Sequence, residues 1–233
     1  MLNSIILTGR LIRYNLKIIF AGRFIWFLLA ALGFYLFFMV VAVMDNEETD
    51  ISLIYELCFF PALLLIFYPM VFGIQRDEDA RMLEILFGIP DYRYKVWLVR
   101  IALILAQVYV LMVIFASIGS YLLYPINPLS VASQLFFPVC FIGSLAFFFS
   151  TRIKSGNATA VVMVIIGFAL TIFSEILERT FWNIFLNPYD PPRQFSQLAW
   201  QEIVWKNRVF LMVGAVVFLL GALLNLQRRE KYV

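Results

Sequence analysis

IQRDEDARMLEILFGIPDYRYKVWLVR, residues 74–100, is the densest block of charge in this chain, and it lies between two long apolar stretches. That contrast decides how everything around it is read. Of the 233 residues, 63% are hydrophobic and only 14% charged, whereas an ordinary soluble domain has roughly 45–50% and about 25%. A bilayer is the natural solvent for such a chain. About 20 apolar residues cross a hydrocarbon core of about 30 Å, and six runs qualify: about 23–44, 52–74, 96–120, 131–150, 158–175 and 207–226. The expected fold class is an all-α integral membrane protein with six transmembrane helices, a single domain over 1–233.

Orientation follows from where Lys and Arg lie. With the N-terminus inside, the inner segments hold Arg10, Arg13, Lys17 and Arg23; Arg76, Arg81, Arg93, Lys95 and Arg100; Arg152 and Lys154; and Arg228, Arg229 and Lys231. These are 14 of the 18 basic residues, leaving Arg179, Arg193, Lys206 and Arg208 outside. The positive-inside rule then predicts two cytoplasmic termini in a multi-pass protein of the cell inner or plasma membrane. The first outer loop, DNEETD at 45–50, is acidic and carries no base, which agrees. No cleavable signal peptide is read, because Arg10, Arg13 and Lys17 interrupt the first 20 residues. Cys58 and Cys140 both fall inside spans and histidine is absent, so neither a disulfide framework nor a zinc site is indicated.

Residues 1–22 read as an amphipathic interfacial helix. Ile5, Ile12, Leu16, Ile19 and Phe20 share one helical face and Arg10, Arg13 and Lys17 a neighbouring one. In the second span, Pro61 and Pro69 remove backbone donors, so this helix should kink or break unless its neighbours satisfy the freed groups. Glu56, near the outer end of that span, reads either as an intramembrane acid or, since it lies close to the interface, as a carboxylate reaching the headgroups.

Within the opening stretch, Asp77, Glu78 and Asp79 predict a helix N-terminus, and Gly88 with Pro90 a stop. The helix between them, about three turns long, would carry Met82, Leu83, Leu86 and Phe87 on one face, with Arg76, Arg81 and Glu84 on a polar rim. DYRYKVW then returns the chain to the headgroup region. Two readings remain open on periodicity alone: a docking element whose apolar face needs a partner, and an ordinary inner loop.

The stretch resembles the cytoplasmic segment of type-2 exporter permeases of the ABC transporter class. Glu84, Leu86 and Pro90 match the family pattern, while Arg81-Met82 stand where Gly-Thr is usual. The resemblance covers the whole chain: an amphipathic N-terminus, six spans, a cytoplasmic helix between the second and third, and a long outer segment between the fifth and sixth. It implies that 75–95 is a coupling segment seated on a separate ABC ATPase subunit. Contacts would come from Arg76, Asp77, Glu78, Arg81, Met82, Leu83, Glu84, Leu86, Phe87 and Pro90. It also implies a second permease copy or a homologous permease beside this one, with ATP and Mg bound by the ATPase and no cofactor in this chain.

The outer segment, 176–206, is broken by Asn187-Pro188 and Pro191-Pro192. Similar permeases carry two short re-entrant helices here, and the aromatic apolar pieces 178–186 and 195–205 look like the same device. Trp182, Trp200 and Trp205 are placed as interfacial anchors. TRIKSGN at 151–157 reads as a basic inner loop, either a plain anchor or, by the resemblance, a minor second ATPase contact. Gly214, Ala215, Gly221 and Ala222 form a small-residue face on the sixth span, suited to close packing either within the chain or between copies.

Catalytic and metal residues are not indicated. There is no phosphate-binding G-x-x-x-x-G-K-[ST] loop, no H-E-x-x-H and no histidine to act as a base. The substrate is not written in the sequence, and nothing points to nucleic acid. The rivals to an ATP-driven export permease are a motor-independent secondary transporter, which should show intramembrane ionisable residues, and a non-transporting membrane scaffold or membrane enzyme.

Overall fold

The computed structural model describes residues 24–44, 49–79, 93–153, 155–178 and 180–229. Among these there are six long helices and no strand: α1 (Phe24–Met44), α2 (Ile51–Asp79), α3 (Val99–Leu122), α4 (Pro128–Arg152), α5 (Gly156–Ile176) and α6 (Gln197–Arg229). A π-helical turn, Arg93–Leu98, leads into α3. All six helices are long and apolar enough to cross a membrane. The amphipathic N-terminal helix expected over 1–22 lies outside the described residues, as does 80–92, which holds Arg81, Met82, Leu83, Glu84, Leu86, Phe87 and Pro90 of the expected coupling helix.

Local chemistry marks the helix starts. Asp50 Oδ1 accepts from the Leu53 N–H at 2.8 Å at the head of α2. Asn127 caps α4, with Pro128 in the first turn, and Ser155 caps α5. Each side chain satisfies a backbone donor that the helix cannot. The helices alternate in direction, so one end of the bundle carries Asp50, Asn127 and the 177–196 segment. The opposite end carries Gln75, Ser155 and the last turn of α6.

Two boundaries differ from the sequence reading. Asp77, Glu78 and Asp79 close α2 instead of opening a new helix. Nothing between Gly73 and Asp79 breaks the helix, and Arg76 in the last turn suits the negative end of the dipole. Pro61 and Pro69 both sit inside α2, which runs unbroken through them for 29 residues. The re-entrant outer helices are not found either. Residues 177–178 and 180–196 are turns and irregular chain, and 197–205 is the beginning of α6, fused to the expected span in one helix of 33 residues.

The reasons are local. Asn183 Oδ1 accepts from the Phe185 N–H at 2.9 Å and Asn187 Oδ1 from the Tyr189 N–H at 3.0 Å, turns that compete with helix. No proline follows Gln197, and Ser196 Oγ accepts from the Ala199 N–H, so the helix started there runs on. At 1.5 Å per residue α6 is roughly 50 Å long, more than a bilayer core of about 30 Å. Its first turns carry an exposed Lys206–Glu202 ion pair at 2.6 Å.

The core centres on α4, 67% of whose apolar window is buried, against 22% for α1 and 11% for α5. It packs against α2, α3 and α6, and more sparsely against α5. Lipid tails are as apolar as leucine, so close fit and not water exclusion holds such helices together. Gly143 of α4 lets Ile66 and Met70 of α2 approach, and a Cβ there would lie 2.6 Å from Ile66 Cγ1. Gly214 and Gly221 of α6 receive the rings of Phe141 and Phe148. The small-residue face of the sixth span, with Ala215 and Ala222 buried beside the two glycines, therefore packs within the chain, on α4.

Candidate functional site

A dense polar cluster lies at the Asp50 end, where turns after α5 fold back among α2, α4 and α6. Its centre is Arg208 of α6, which is 3% exposed. The guanidinium donates from Nε to Gln134 Oε1 at 2.9 Å and from Nη1 to Asn207 Oδ1 at 2.8 Å. Longer contacts run from Nη2 to the Leu186 carbonyl at 3.4 Å and to the Tyr55 hydroxyl at 3.5 Å. The Tyr55 hydroxyl itself points at the Leu186 carbonyl at 3.5 Å, and the ring of Phe137 lies 5.7 Å from the guanidinium carbon. Every one of these acceptors is neutral. A buried guanidinium costs several kcal/mol in lost hydration, and four acceptors together with an aromatic face offset that cost without neutralising the charge.

The neighbouring Asn207 completes the clamp. Its Nδ2 donates to the carbonyls of Phe181 at 2.9 Å and Asn183 at 2.7 Å. Buried non-helical backbone is tolerated where protein groups satisfy it, and here Asn207 and Arg208 supply the donors. Asn183, Ile184 and Leu186 are buried as a result. The chain does fold back into the bundle, as capped turns and not as helices.

Asn187 ties the same segment to α2. Its Nδ2 donates to Ser52 Oγ at 2.8 Å and Glu56 Oε1 at 3.0 Å. Rings of Phe59 and Phe185 meet edge to face at 5.5 Å, and those of Tyr55 and Tyr189 at 5.8 Å. Beside this junction α2 and α5 part to leave an open groove of about 620 Å³, with Glu56 and Asn187 at its polar end.

Most of the residues expected to contact an ATPase lie outside the described residues. Arg76 and the backbone of Asp77 and Glu78 lie in the last turns of α2, and the remainder fall outside the described residues. One contact near them was not legible. Gln75 Oε1 accepts from the Gly156 N–H at 2.6 Å, joining the end of α2 to the first residue of α5. Arg152, the last residue of α4, holds its guanidinium 5.1 Å from the ring of Phe148.

Two other sequence assignments change. Trp200 is not an interfacial anchor, since it is 5% exposed and its Nε1 donates to the Pro188 carbonyl at 3.0 Å; Trp182 and Trp205 are exposed. Arg208, counted among the outer bases, is buried inside the bundle. Among the described residues, Cys58 and Cys140 are free and buried, and no three His, Cys, Asp or Glu side chains converge as metal ligands would. No family model matches this chain, and neither does any curated protein or solved structure.

Proposed function

We propose that this chain is the membrane-spanning permease subunit of an ATP-driven ABC exporter, providing the translocation path while a separate ATPase subunit hydrolyses ATP. The observation that carries the reading is the combination of six apolar helices with one long charged connection between the second and third, residues 80–92, whose Glu84, Leu86 and Pro90 match the coupling segment of such permeases. The distribution of Lys and Arg supports placing that connection and both termini in the cytoplasm. In this reading α2 is the lever. Its last turns lead straight into the ATPase contact, and Gln75 passes any displacement to α5 through the Gly156 amide. ATP-driven closure of the motor would then bias the bundle between two arrangements, with a second permease copy or a homologous permease opposite.

The test is Leu86→Asp. A charge placed in a desolvated apolar contact costs about 3–5 kcal/mol, enough to strip the ATPase from the permease during co-purification and to abolish coupled ATP hydrolysis. Glu84→Ala, on the rim, should cost far less. Full retention of the partner and its activity by a well-folded Leu86→Asp chain would make the connection at 80–92 an ordinary inner loop.

A second reading is favoured by one observation. Arg208 is an ionisable group buried in a span, a feature of motor-independent secondary transporters. Its four neutral acceptors suit a structural clamp better than a coupling ion, which must bind and leave. Transport by the purified chain in vesicles under an ion gradient, without nucleotide, would decide for this alternative.

A further inference from the structure

Helices α2 and α5 are joined at one end and parted at the other. At the joined end Gln75 holds the Gly156 amide, and Phe72 packs on Gly156. Towards the Asp50 end the two helices separate around the 620 Å³ groove, which faces outward from the bundle: Phe60, Val164 and Phe168 on its walls are 45%, 50% and 70% exposed.

The groove is graded along its length. Glu56 lies five residues from the start of α2, and Ser174 and Thr171 lie in the last turns of α5. Leu63 and Val164, both on the walls, lie roughly 18 Å inward along their helices. Polar atoms thus gather where the headgroups of that leaflet would be, and the apolar walls run towards the bilayer centre.

The polar end offers acceptors. Glu56 has the amide of Asn187 as its one hydrogen-bond partner among the described residues, at 3.0 Å, and no Lys or Arg pairs with it there. The hydroxyl protons of Thr171 and Ser174 are committed to the carbonyls of Gly167 and Thr171, at 3.0 and 2.7 Å, so towards a ligand these hydroxyls can act only as acceptors. The Nδ2 donor of Asn187 is already engaged by Ser52 and Glu56. A carboxylate flanked by hydroxyl lone pairs selects a cationic donor and rejects phosphate, sulfate or carboxylate heads. Gly167, on the groove wall, has nothing within 4 Å of where a Cβ would stand, so the floor is open.

We propose that this groove binds a long-chain ammonium amphiphile from the leaflet at the Asp50 end, its ammonium on Glu56 and its chain along Phe60, Leu63, Val164 and Phe168. Treating that amphiphile as the exported cargo rests on the export reading; its binding does not, because occupancy needs neither ATPase nor nucleotide.

The experiment uses the whole chain in phosphatidylcholine nanodiscs and a decylamine carrying a photoreactive diazirine at its chain end, with labelled peptides mapped by mass spectrometry. Labelling is expected at Leu63 and at 164–168, displaced by excess decylammonium but not by decyl sulfate, and at least about tenfold stronger than with the matching alcohol probe. Glu56→Gln should remove about tenfold of the amine's advantage while sparing the alcohol. Gly167→Leu projects a side chain from a position whose Cβ would meet nothing within 4 Å, and should weaken both probes. Equal labelling by amine and alcohol, or an amine preference that survives Glu56→Gln, overturns the proposal and leaves a plain lipid-facing surface. Groove peptides that no probe reaches, with chain-to-chain crosslinks at Phe168 instead, overturn it in favour of a second copy. Selective labelling in a chain that couples to no ATPase sinks the export reading alone; coupling without selective labelling sinks this one alone.

Discussion

Arg208→Ala probes the clamp that holds the 177–196 turns in the bundle. The change removes two short hydrogen bonds from a charged donor, at 2.9 Å to Gln134 and 2.8 Å to Asn207, and two contacts at 3.4 and 3.5 Å that lie near the geometric limit. The short pair contributes ~1.5–3 kcal/mol each. Truncation recovers part of that by abolishing a desolvated charge, and it leaves the Leu186 carbonyl and the Gln134 amide facing a void. The net expectation is a loss of about 3 kcal/mol, or a fall of roughly 6–12 °C in the unfolding midpoint for a chain of this size. Hydrogen exchange should localise the damage, with backbone amides of 181–187 losing protection before those of α4. Arg208→Lys keeps the charge but not the planar fork, and should recover only part of the loss. Asn207→Ala should be strongly non-additive with Arg208→Ala, because both hold the same turns. A midpoint within about 2 °C of the parent, with exchange at 181–187 unchanged, would refute the reasoning.

Gly214→Val sets a side chain where even a Cβ would stand 2.5 Å from Phe141 Cε2, and should cost about 1–3 kcal/mol of stability in thermal melts. Gly33→Ala in α1, with nothing within 4 Å of its Cβ position, is the control and should be neutral or slightly stabilising; equal effects would dismiss the α4–α6 seam. Gln75→Ala should speed amide exchange at Gly156 and cost about 1 kcal/mol, so unchanged protection there would remove the α2–α5 link. A Glu48→Cys chain should react with an impermeant maleimide on intact cells against a low background, since Cys58 and Cys140 are buried. Labelling only after permeabilisation would invert the proposed orientation.

The spans were legible from sequence alone, because run length and hydropathy are local properties and 1.5 Å per residue converts them directly into membrane thickness. Four of the six were placed to within about four residues at each end. The C-terminal end of α2 and the start of α6 were not, because charges at 77–79 and polar residues within 197–206 end a helix only where a true helix breaker accompanies them, and none lies there. The groups that matter most at the candidate site were hidden for a different reason. Arg208 reads as one more outer base until Tyr55, Gln134 and Leu186, scattered over three elements, surround it. Glu56 reads as a headgroup-seeking carboxylate until Asn187, 131 positions away, fixes one of its oxygens beside an open groove. The glycines of the sixth span announced close packing, but only the rings of Phe141 and Phe148 show against what. Periodicity and charge determine which segments enter the bilayer; what a buried polar group does there depends on partners that sequence separation conceals and only tertiary packing brings within hydrogen-bonding distance.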